Sequence, residues 1–403
     1  MRRVLPTGLA LLCLACSASQ PAATQRSPSS VPTTPIASPQ VTAQPSATPV
    51  PSVACHRGAS SPTAMVMLNS AGSTALLYDV SDPLHPALLC TISGTSAHIV
   101  TGDTFAYLRP VSPTETDVVL HSIGSGNEGV TARLPLASVY GTWTADGNVM
   151  AYTIAQPPGD QAPQGSEQVW LFSGGRDRLV YTYPIGLGDC VCRFGPPPLV
   201  LALSPDAQYL VAGWRSGKGA APLVVLRVFD GAKVATADAA YSLAIWARTG
   251  HRLFLSGSGA PGVAVWTPEG GTAVVSQTPW SYFPSLSPDG ASAAFTGYAD
   301  AAFAHPRVYV FDMKAGVART LVQAERSQAL FVKDGWTWYL EERPCGSNEG
   351  CAGSTAPSGT VYAMDLATST ERTVSFAPSE DPLSNAGDEG WATFRAGENW
   401  PAV

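Results

Sequence analysis

Cysteines are the most reactive side chains in this sequence, and six of them follow residue 50. They are Cys55, Cys90, Cys190, Cys192, Cys345 and Cys351. An even number of cysteines outside the cytoplasm suggests disulfides. We expect Cys345 to pair with Cys351 across a short loop, and Cys55 to pair with Cys90. For Cys190 and Cys192 three interpretations stay open: a structural disulfide, which we favour, a redox pair or a metal site.

The other motifs that suggest chemistry lack the context that the chemistry needs. Two Gly-x-Gly-x-x-Gly strings occur at residues 124–129 and 257–262, but predicted strands follow both, whereas a dinucleotide site needs a helix there. The Gly-x-Ser-x-Gly elbow of serine hydrolases is missing from the sequence. The six histidines are not spaced as metal ligands. We therefore predict no catalytic residue, no cofactor and no metal.

Short apolar runs alternate with turn residues from residue 64 onward, which predicts strands of four to eight residues. The chain contains 38 Gly and 35 Pro, and only 13% of its residues are charged. Such a composition punctuates the chain too often for long helices. The sequence therefore predicts an all-β fold.

One unit recurs along these runs: an apolar strand, a Ser-Pro-Asp turn and a second apolar strand. Its clearest copies are residues 201–212 and 285–295, where Ser204-Pro205-Asp206 and Ser287-Pro288-Asp289-Gly290 form the turn. These copies resemble the TolB-type, WD40-like propeller repeat. Pro presets the backbone of such a turn and Asp bonds to nearby amides, so we expect the Asp residues to be structural rather than catalytic.

The spacing of the repeat predicts a β-propeller of about seven four-stranded blades, with six or eight as alternatives. The equivalent turn positions are Asp103, Asp146, Asp206, Thr249, Asp289, Asp334 and Asp388. They follow one another at 40 to 60 residues, close to the period of known blades. The first blade has only three predicted strands, from Ala64 onward, so we expect a strand at residues 391–395 to complete it and close the ring.

Loop length predicts which face of the propeller binds a ligand. Within each blade, short turns join the first strand to the second and the third strand to the fourth. The other connections are often long, and they emerge on the opposite face. The long connections are residues 155–168, 185–198, 215–222, 276–284, 298–306 and 343–359. Loops carry function on rigid scaffolds, and aromatic side chains suit sugars, peptides and proteins. The predicted ligand-binding residues near the channel mouth on this face are His98, Tyr140, Tyr241, Trp280 and Tyr282. They have a second interpretation as core residues.

The first 52 residues predict export. Arg2 and Arg3 precede a short apolar run, and Leu14-Ala15-Cys16 resembles the lipobox of bacterial lipoproteins. Residues 1–15 are thus a predicted signal peptide, with lipidation of Cys16. Residues 16–52, rich in Pro, Ser and Thr, are a predicted tether, and residues 53–403 the propeller. Ordinary secretion is the alternative.

Charge and fold together limit the function. The net charge of −7 and the missing basic stripe argue against nucleic acid as a partner. We expect a monomeric, extracytoplasmic binding or assembly module, in line with what the TolB resemblance implies. Its expected partner is a protein, peptide or carbohydrate on the long-loop face, and its only membrane contact is the lipid. The alternative is a propeller enzyme, a lyase or glycosidase, because fold does not decide function.

Overall fold

The protein was analysed as a computed structural model, which describes most of the chain after residue 52. The described residues are 53–56, 62–69, 74–101, 103–112, 114–135, 141–144, 147–156, 166–184, 199–214, 222–237, 241, 243–247, 250–257, 262–276, 281–298, 305–345, 355–378 and 380–382. The predicted signal peptide and tether lie outside these residues, so the boundaries of the three predicted regions remain predictions.

The described residues form 28 strands in seven antiparallel sheets of four strands each, and they contain no helix. The first two sheets hold β1 (Val53–Cys55), β2 (Met65–Asn69), β3 (Thr74–Asp79), β4 (Ala87–Ser93), then β5 (Thr95–Thr101), β6 (Thr104–Ser112), β7 (Glu115–Ser122) and β8 (Glu128–Pro135). The third and fourth hold β9 (Gly141–Trp143), β10 (Val149–Gln156), β11 (Ser166–Ser173), β12 (Arg176–Pro184), then β13 (Leu199–Leu203), β14 (Tyr209–Trp214), β15 (Val224–Arg227) and β16 (Lys233–Thr236).

The last three sheets repeat the same pattern. They hold β17 (Leu243–Trp246), β18 (Leu253–Ser256), β19 (Val263–Thr267), β20 (Gly271–Ser276), then β21 (Ser281–Leu286), β22 (Ser292–Gly297), β23 (Arg307–Asp312), β24 (Val317–Thr320), and finally β25 (Arg326–Lys333), β26 (Trp336–Pro344), β27 (Thr355–Asp365) and β28 (Thr370–Thr373). In sheets two to seven the strands are paired in chain order. The all-β prediction and the prediction of seven blades are confirmed.

The sheets are arranged as the blades of a propeller. The first strands of blades two to seven contact one another in chain order, and β2 of the first blade contacts both β5 and β25. Seven clusters of buried apolar side chains lie between the blades, one at each boundary. One of them joins the first blade to the seventh through Val66, Tyr78 and Trp338. The described residues thus close the ring by packing.

The predicted Ser-Pro-Asp turns form as their chemistry requires. In the fourth blade, Asp206 Oδ1 accepts hydrogen bonds from Ser204 Oγ at 2.8 Å and from the Gln208 amide at 3.1 Å. In the sixth, Asp289 Oδ1 accepts from Ser287 Oγ at 2.6 Å and from the Ala291 amide at 2.9 Å. These carboxylates are occupied by their own turns, as a structural role predicts.

The first blade differs from the others in the order of its strands, which is β1-β4-β3-β2. Only Gly94 separates β4 from β5, so β4 occupies the place of the strand that leads into the next blade. In addition, Lys333 Nζ, at the end of β25, donates a hydrogen bond of 2.9 Å to the Ser81 carbonyl, just after β3. Strands β2, β3 and β4 therefore correspond to the second, third and fourth strands of the other blades.

The sequence did not predict β1, which adds to the outer edge of β4. Its register places Cys55 opposite Cys90, and the predicted disulfide between them is present. Among the described residues no strand pairs with the inner edge of β2. The closing strand expected at residues 391–395 lies outside the described residues, so strand exchange there remains a prediction.

The chain just before that segment packs on the first blade. The Ser375 amide donates to the Leu84 carbonyl at 2.9 Å, and Trp338 Nε1 donates to the Pro83 carbonyl at 2.9 Å. Tyr78 Oη donates to the Glu380 carbonyl at 2.5 Å. The end of the seventh blade is therefore fastened to the start of the propeller by hydrogen bonds as well as by apolar packing.

Candidate functional site

Strand bounds divide the connections between two faces. On one side of the propeller, turns join the first strand of each blade to the second and the third strand to the fourth; we name this side the short-turn face. We name the opposite side the long-loop face. The longest connections of the short-turn face are residues 80–86 and 247–252. Those of the long-loop face include residues 157–165, 185–198, 215–223 and 345–354. By these strand bounds, the longest connections join strand ends on one face.

His98, a predicted ligand-binding residue, lies inside the molecule. It belongs to β5 and is only 3% exposed. Its ring stacks on Trp143 of the next blade, with centroids 6.2 Å apart. Nε2 has no hydrogen-bond partner among the described residues, and burial lowers the pKa of the ring to about 4. His98 is therefore a neutral imidazole at the boundary between the second and third blades.

Tyr241 also packs in a core. It is 2% exposed and belongs to the cluster between the fourth and fifth blades, together with Trp246 and Trp266. Its removal should therefore open a cavity, so a Tyr241→Ala variant is expected to lose stability. For His98 and Tyr241 the core interpretation accounts for the observed positions, and a binding role stays a prediction.

The other predicted residues are only partly described. Tyr140 and Trp280 lie outside the described residues. Tyr282 lies in β21, opposite Thr296, but its side chain is not described. Of the remaining predicted residues, Cys345 is disulfide-bonded, while Cys16, Cys190, Cys192 and Cys351 lie outside the described residues. Their predicted roles remain predictions.

A cluster of charged groups in the seventh blade was not predicted from the sequence. Arg326 begins β25 and is 8% exposed. Its Nε lies 3.1 Å from Glu371 Oε1, its Nη1 lies 3.8 Å from Glu341 Oε1, and its guanidinium carbon lies 4.4 Å from the Tyr362 ring centroid. Since these partners come from the other three strands, Arg326 joins all four strands of the blade.

Glu342 lies next to this cluster and has a different environment. Burial is the main cause that raises its pKa, and the nearby negative charge of Glu325 raises it further, while a hydrogen bond from Ser327 Oγ opposes the shift. Glu325 in turn lies 2.6 Å from His305 Nδ1. A carboxyl group with a raised pKa beside a second carboxyl group is an arrangement that acid–base catalysis uses.

A second charged network covers the outer part of the second blade. Asp117 is buried, and its carboxylate oxygens lie 2.8 Å from Arg133 Nε and 3.3 Å from Arg109 Nη2. Burial raises the pKa of Asp117, but the hydrogen bonds from the two arginines outweigh it and the net shift is downward. Glu128 binds Arg109 and accepts the Tyr107 hydroxyl at 2.8 Å. Because each carboxylate is matched to an arginine, this network is explained as a cross-strand brace.

Metal binding receives no support within the described part of the chain, where no three His, Cys, Asp or Glu side chains are grouped as ligands. The same residues include no helix long and apolar enough to cross a bilayer.

Two grooves open on the short-turn side of blades three to five. The first has a volume of about 470 Å³ and is lined by Val149, Leu171, Ser173, Arg176, Asp177, Arg178, Ala207 and Val228. The second has a volume of about 510 Å³ and is lined by Tyr209, Arg227, Val234, Ala235, Thr236, Trp266, Pro268, Gly271 and Thr272. Both are open enough for side chains of another molecule, and neither was predicted from the sequence.

Comparison with known proteins gives neither a family nor a function. No family model and no curated protein sequence matches the chain. Among solved structures, it is similar to TolB from Acinetobacter baumannii, at 12% identity and a TM-score of 0.43, over 67% of this chain and 66% of TolB. It is also similar to a prolyl endopeptidase, at 15% identity and a TM-score of 0.49, over 80% of this chain and 49% of that one.

A third similar structure is a putative 6-phosphogluconolactonase from Bacteroides fragilis, at 13% identity and a TM-score of 0.46, over 79% of this chain and 95% of that one. The chain thus spans just under two thirds of TolB and about half of the endopeptidase. Similarity at this level assigns no function.

Proposed function

We propose that the protein is a binding or assembly module of the cell envelope, exported and held at a membrane by a lipid on Cys16. The observation that carries the proposal is the concentration of long loops on one face of a seven-bladed scaffold. A closed ring of packed blades is a rigid scaffold, and loops on rigid scaffolds often carry binding residues. The partner that we propose for this face is a protein, peptide or carbohydrate.

The Cys55–Cys90 disulfide supports an extracytoplasmic location, because disulfides persist in oxidising compartments. The carboxylates of the seventh blade form ion pairs, and this pairing supports a role without catalysis. Glu341 and Glu371 are both held by Arg326, and Glu341 also accepts the Ser358 hydroxyl at 2.8 Å. Carboxylates committed in this way stabilise a blade.

Two measurements test this proposal. A Cys16→Ser variant should move from the membrane fraction to the aqueous fraction, and retention in the membrane would mean that another anchor exists. A photoreactive residue placed at His305, on the long-loop face, should crosslink a partner in producing cells. The matched position is Lys314, on the short-turn face of the sixth blade. Crosslinking at Lys314 but not at His305 would contradict the choice of face.

The alternative function is that of a propeller enzyme, and one observation favours it. Glu342 has a raised pKa and has Glu325 beside it, as a general acid and its partner require. The test is to incubate the wild type and a Glu342→Gln variant with a panel of polysaccharides and to measure reducing ends and unsaturated products. We expect no turnover by either. Turnover of a polysaccharide by the wild type that is lost in Glu342→Gln would establish the enzyme function instead.

A further inference from the structure

The two sulfurs of the Cys55–Cys90 disulfide differ in their access to solvent. Cys55 belongs to β1, an edge strand of three residues, and it is only partly buried. Cys90 belongs to β4, an interior strand, and it is fully buried in the apolar cluster between the first and second blades. An outside sulfur can therefore approach Cys55 but not Cys90 while β1 is in place.

A histidine of the second blade faces the accessible sulfur. His121 Nε2 lies 3.8 Å from Cys55 Sγ. The ring is 7% exposed and stacks on Phe105, with centroids 5.0 Å apart, so packing fixes its position. On its other side, Nδ1 lies 3.9 Å from Glu128 Oε2, the distance of an ion pair. Sulfur, imidazole and carboxylate thus follow one another in the order of an activated nucleophile, its base and the group that orients the base.

The charges around the ring suit a base. Burial lowers the pKa of His121, and the carboxylate of Glu128 opposes this shift. Glu128 in turn binds Arg109 and accepts the Tyr107 hydroxyl at 2.8 Å, and these bonds outweigh burial and lower its pKa. The imidazole is therefore neutral near pH 7 while the disulfide is closed, and an ionised carboxylate lies beside it to stabilise a proton that it accepts.

Contacts that do not involve sulfur hold β1 in the same place. The His56 amide donates to the Leu89 carbonyl at 2.8 Å, and Val53 packs against the apolar cluster between the first two blades. The register of the two strands places residues 55 and 90 directly opposite each other. These contacts are available to the reduced chain, where they bring the two thiols together and one of them to the imidazole.

We propose that Cys55 is the sulfur through which this protein exchanges its disulfide with an outside disulfide, and that His121 is the general base of the exchange. First, His121 Nε2 takes the proton of Cys55, and the thiolate attacks one sulfur of the donor. The S–S bond of the donor breaks, and a mixed disulfide forms on Cys55.

The second step closes the bond. The sulfur of Cys90 attacks Cys55 Sγ, the mixed disulfide breaks, and the donor leaves as two thiols that have received both protons. Two thiols of the protein are thereby oxidised and one disulfide of the donor is reduced. Reduction of the closed bond runs through the same mixed disulfide in reverse, because Cys90 is buried. The donor is any protein or small-molecule disulfide, and the inference is independent of the partner on the long-loop face.

The test follows the first step alone, in the reduced full chain with Cys16→Ser and Cys90→Ser. Oxidised glutathione is the donor, and mass spectrometry of acid-quenched peptides gives the rate at which glutathione attaches to Cys55. Each unit by which a base lowers the pKa of a thiol raises its thiolate fraction about tenfold and lowers its nucleophilicity about threefold. We therefore expect His121→Phe to lower the rate constant at pH 6 at least about threefold. His56→Phe, next to Cys55 but exposed, is the matched control and should leave the rate unchanged.

The reciprocal variant tests which sulfur exchanges. With Cys55→Ser in place of Cys90→Ser, the thiol of Cys90 should stay free of glutathione in the folded chain, as tryptophan fluorescence can verify. Glu128→Gln, which leaves the ring in its packing, should slow the reaction of Cys55 at pH 6 in the same direction as His121→Phe.

Two results would overturn the proposal. One is an equal rate for Cys55 with and without His121→Phe, which would mean that the imidazole does not act on the sulfur. The other is attachment of glutathione to Cys90 as fast as to Cys55. Crosslinking from His305 should be unchanged in His121→Phe, so failure of this inference and failure of the proposed long-loop interface are distinguishable.

Discussion

We expect the free energy of unfolding of the propeller to depend on pH through His98. Burial against Trp143 lowers the pKa of the imidazole from 6.5 to about 4. Folding therefore disfavours the protonated form, whereas the unfolded chain accepts a proton at its ordinary pKa. The contribution of the neutral, buried His98 to the free energy of unfolding is fully present above pH 6.5. It is lost as the pH falls from 6.5 through 4.

The size of the effect follows from the two pKa values. A shift of one pKa unit is worth about 1.4 kcal/mol, so the free energy of unfolding should fall by roughly 3 kcal/mol between pH 7.5 and pH 4 because of His98 alone. At pH 5 the loss should already be about 2 kcal/mol. Such a loss is a large part of the stability of a typical domain.

The variant that isolates this effect is His98→Phe, which keeps a ring against Trp143 and removes the unpartnered Nε2. At pH 7.5 we expect its free energy of unfolding to equal or exceed that of the wild type to within about 1 kcal/mol, because a buried nitrogen without a partner carries a desolvation cost that the Phe ring avoids. The assay is urea denaturation followed by tryptophan fluorescence at pH 7.5, 6, 5 and 4. His56→Phe, at an exposed position, is the control.

A constant difference in free energy of unfolding between the wild type and His98→Phe at all four pH values would contradict this prediction. It would show that the imidazole is not held neutral by burial. A gap that opens only below pH 6.5, with the wild type losing more, is the expected outcome.

Three further predictions concern stability. Cys90→Ser should lower the free energy of unfolding by roughly 4 kcal/mol through the loss of the Cys55–Cys90 link, and reductant should then have no further effect at this site in urea titrations. Tyr241→Ala should cost about 3 to 5 kcal/mol as a cavity in the core, and an unchanged melting temperature would place the ring outside it. Gly231→Ala should lower the free energy of unfolding more than Gly271→Ala does. Both glycines have positive φ, 70° and 65°, but only at Gly231 would the added Cβ lie 2.9 Å from a neighbouring carbonyl oxygen; equal melting temperatures would contradict this.

The blades were predictable because their turns carry a local chemical signal. Ser-Pro-Asp needs only nearby backbone to satisfy it, and Asp206 and Asp289 make the bonds that the sequence implies. The outer strand β1 was not predictable in this way. It is three residues long and is held in place by Cys90, which lies far along the chain.

The orientation of individual residues on the inner strands was also out of reach of the sequence. The pairing of β5 shifts between Thr95 and His98, and Ser96 there has a φ of 52°. In β25 the pairing shifts likewise around Gln328, whose φ is 54°. A bulge of one residue exchanges the two faces of a strand. Alternation along the sequence therefore does not tell whether a residue such as His98 points to the channel or into the packing between blades.

The position of the disulfide has a mechanical consequence. A pulling force that reaches the propeller from the chain before Val53 passes from Cys55 directly to Cys90 on β4. The residues between them, which include β2 and β3, carry none of the load. Without the covalent link, peeling of the three-residue β1 would release up to about 120 Å of chain, at roughly 3.5 Å per residue. The disulfide therefore keeps the chain between Cys55 and Cys90 folded under load. It directs the force into β4, an interior strand that is paired on both sides.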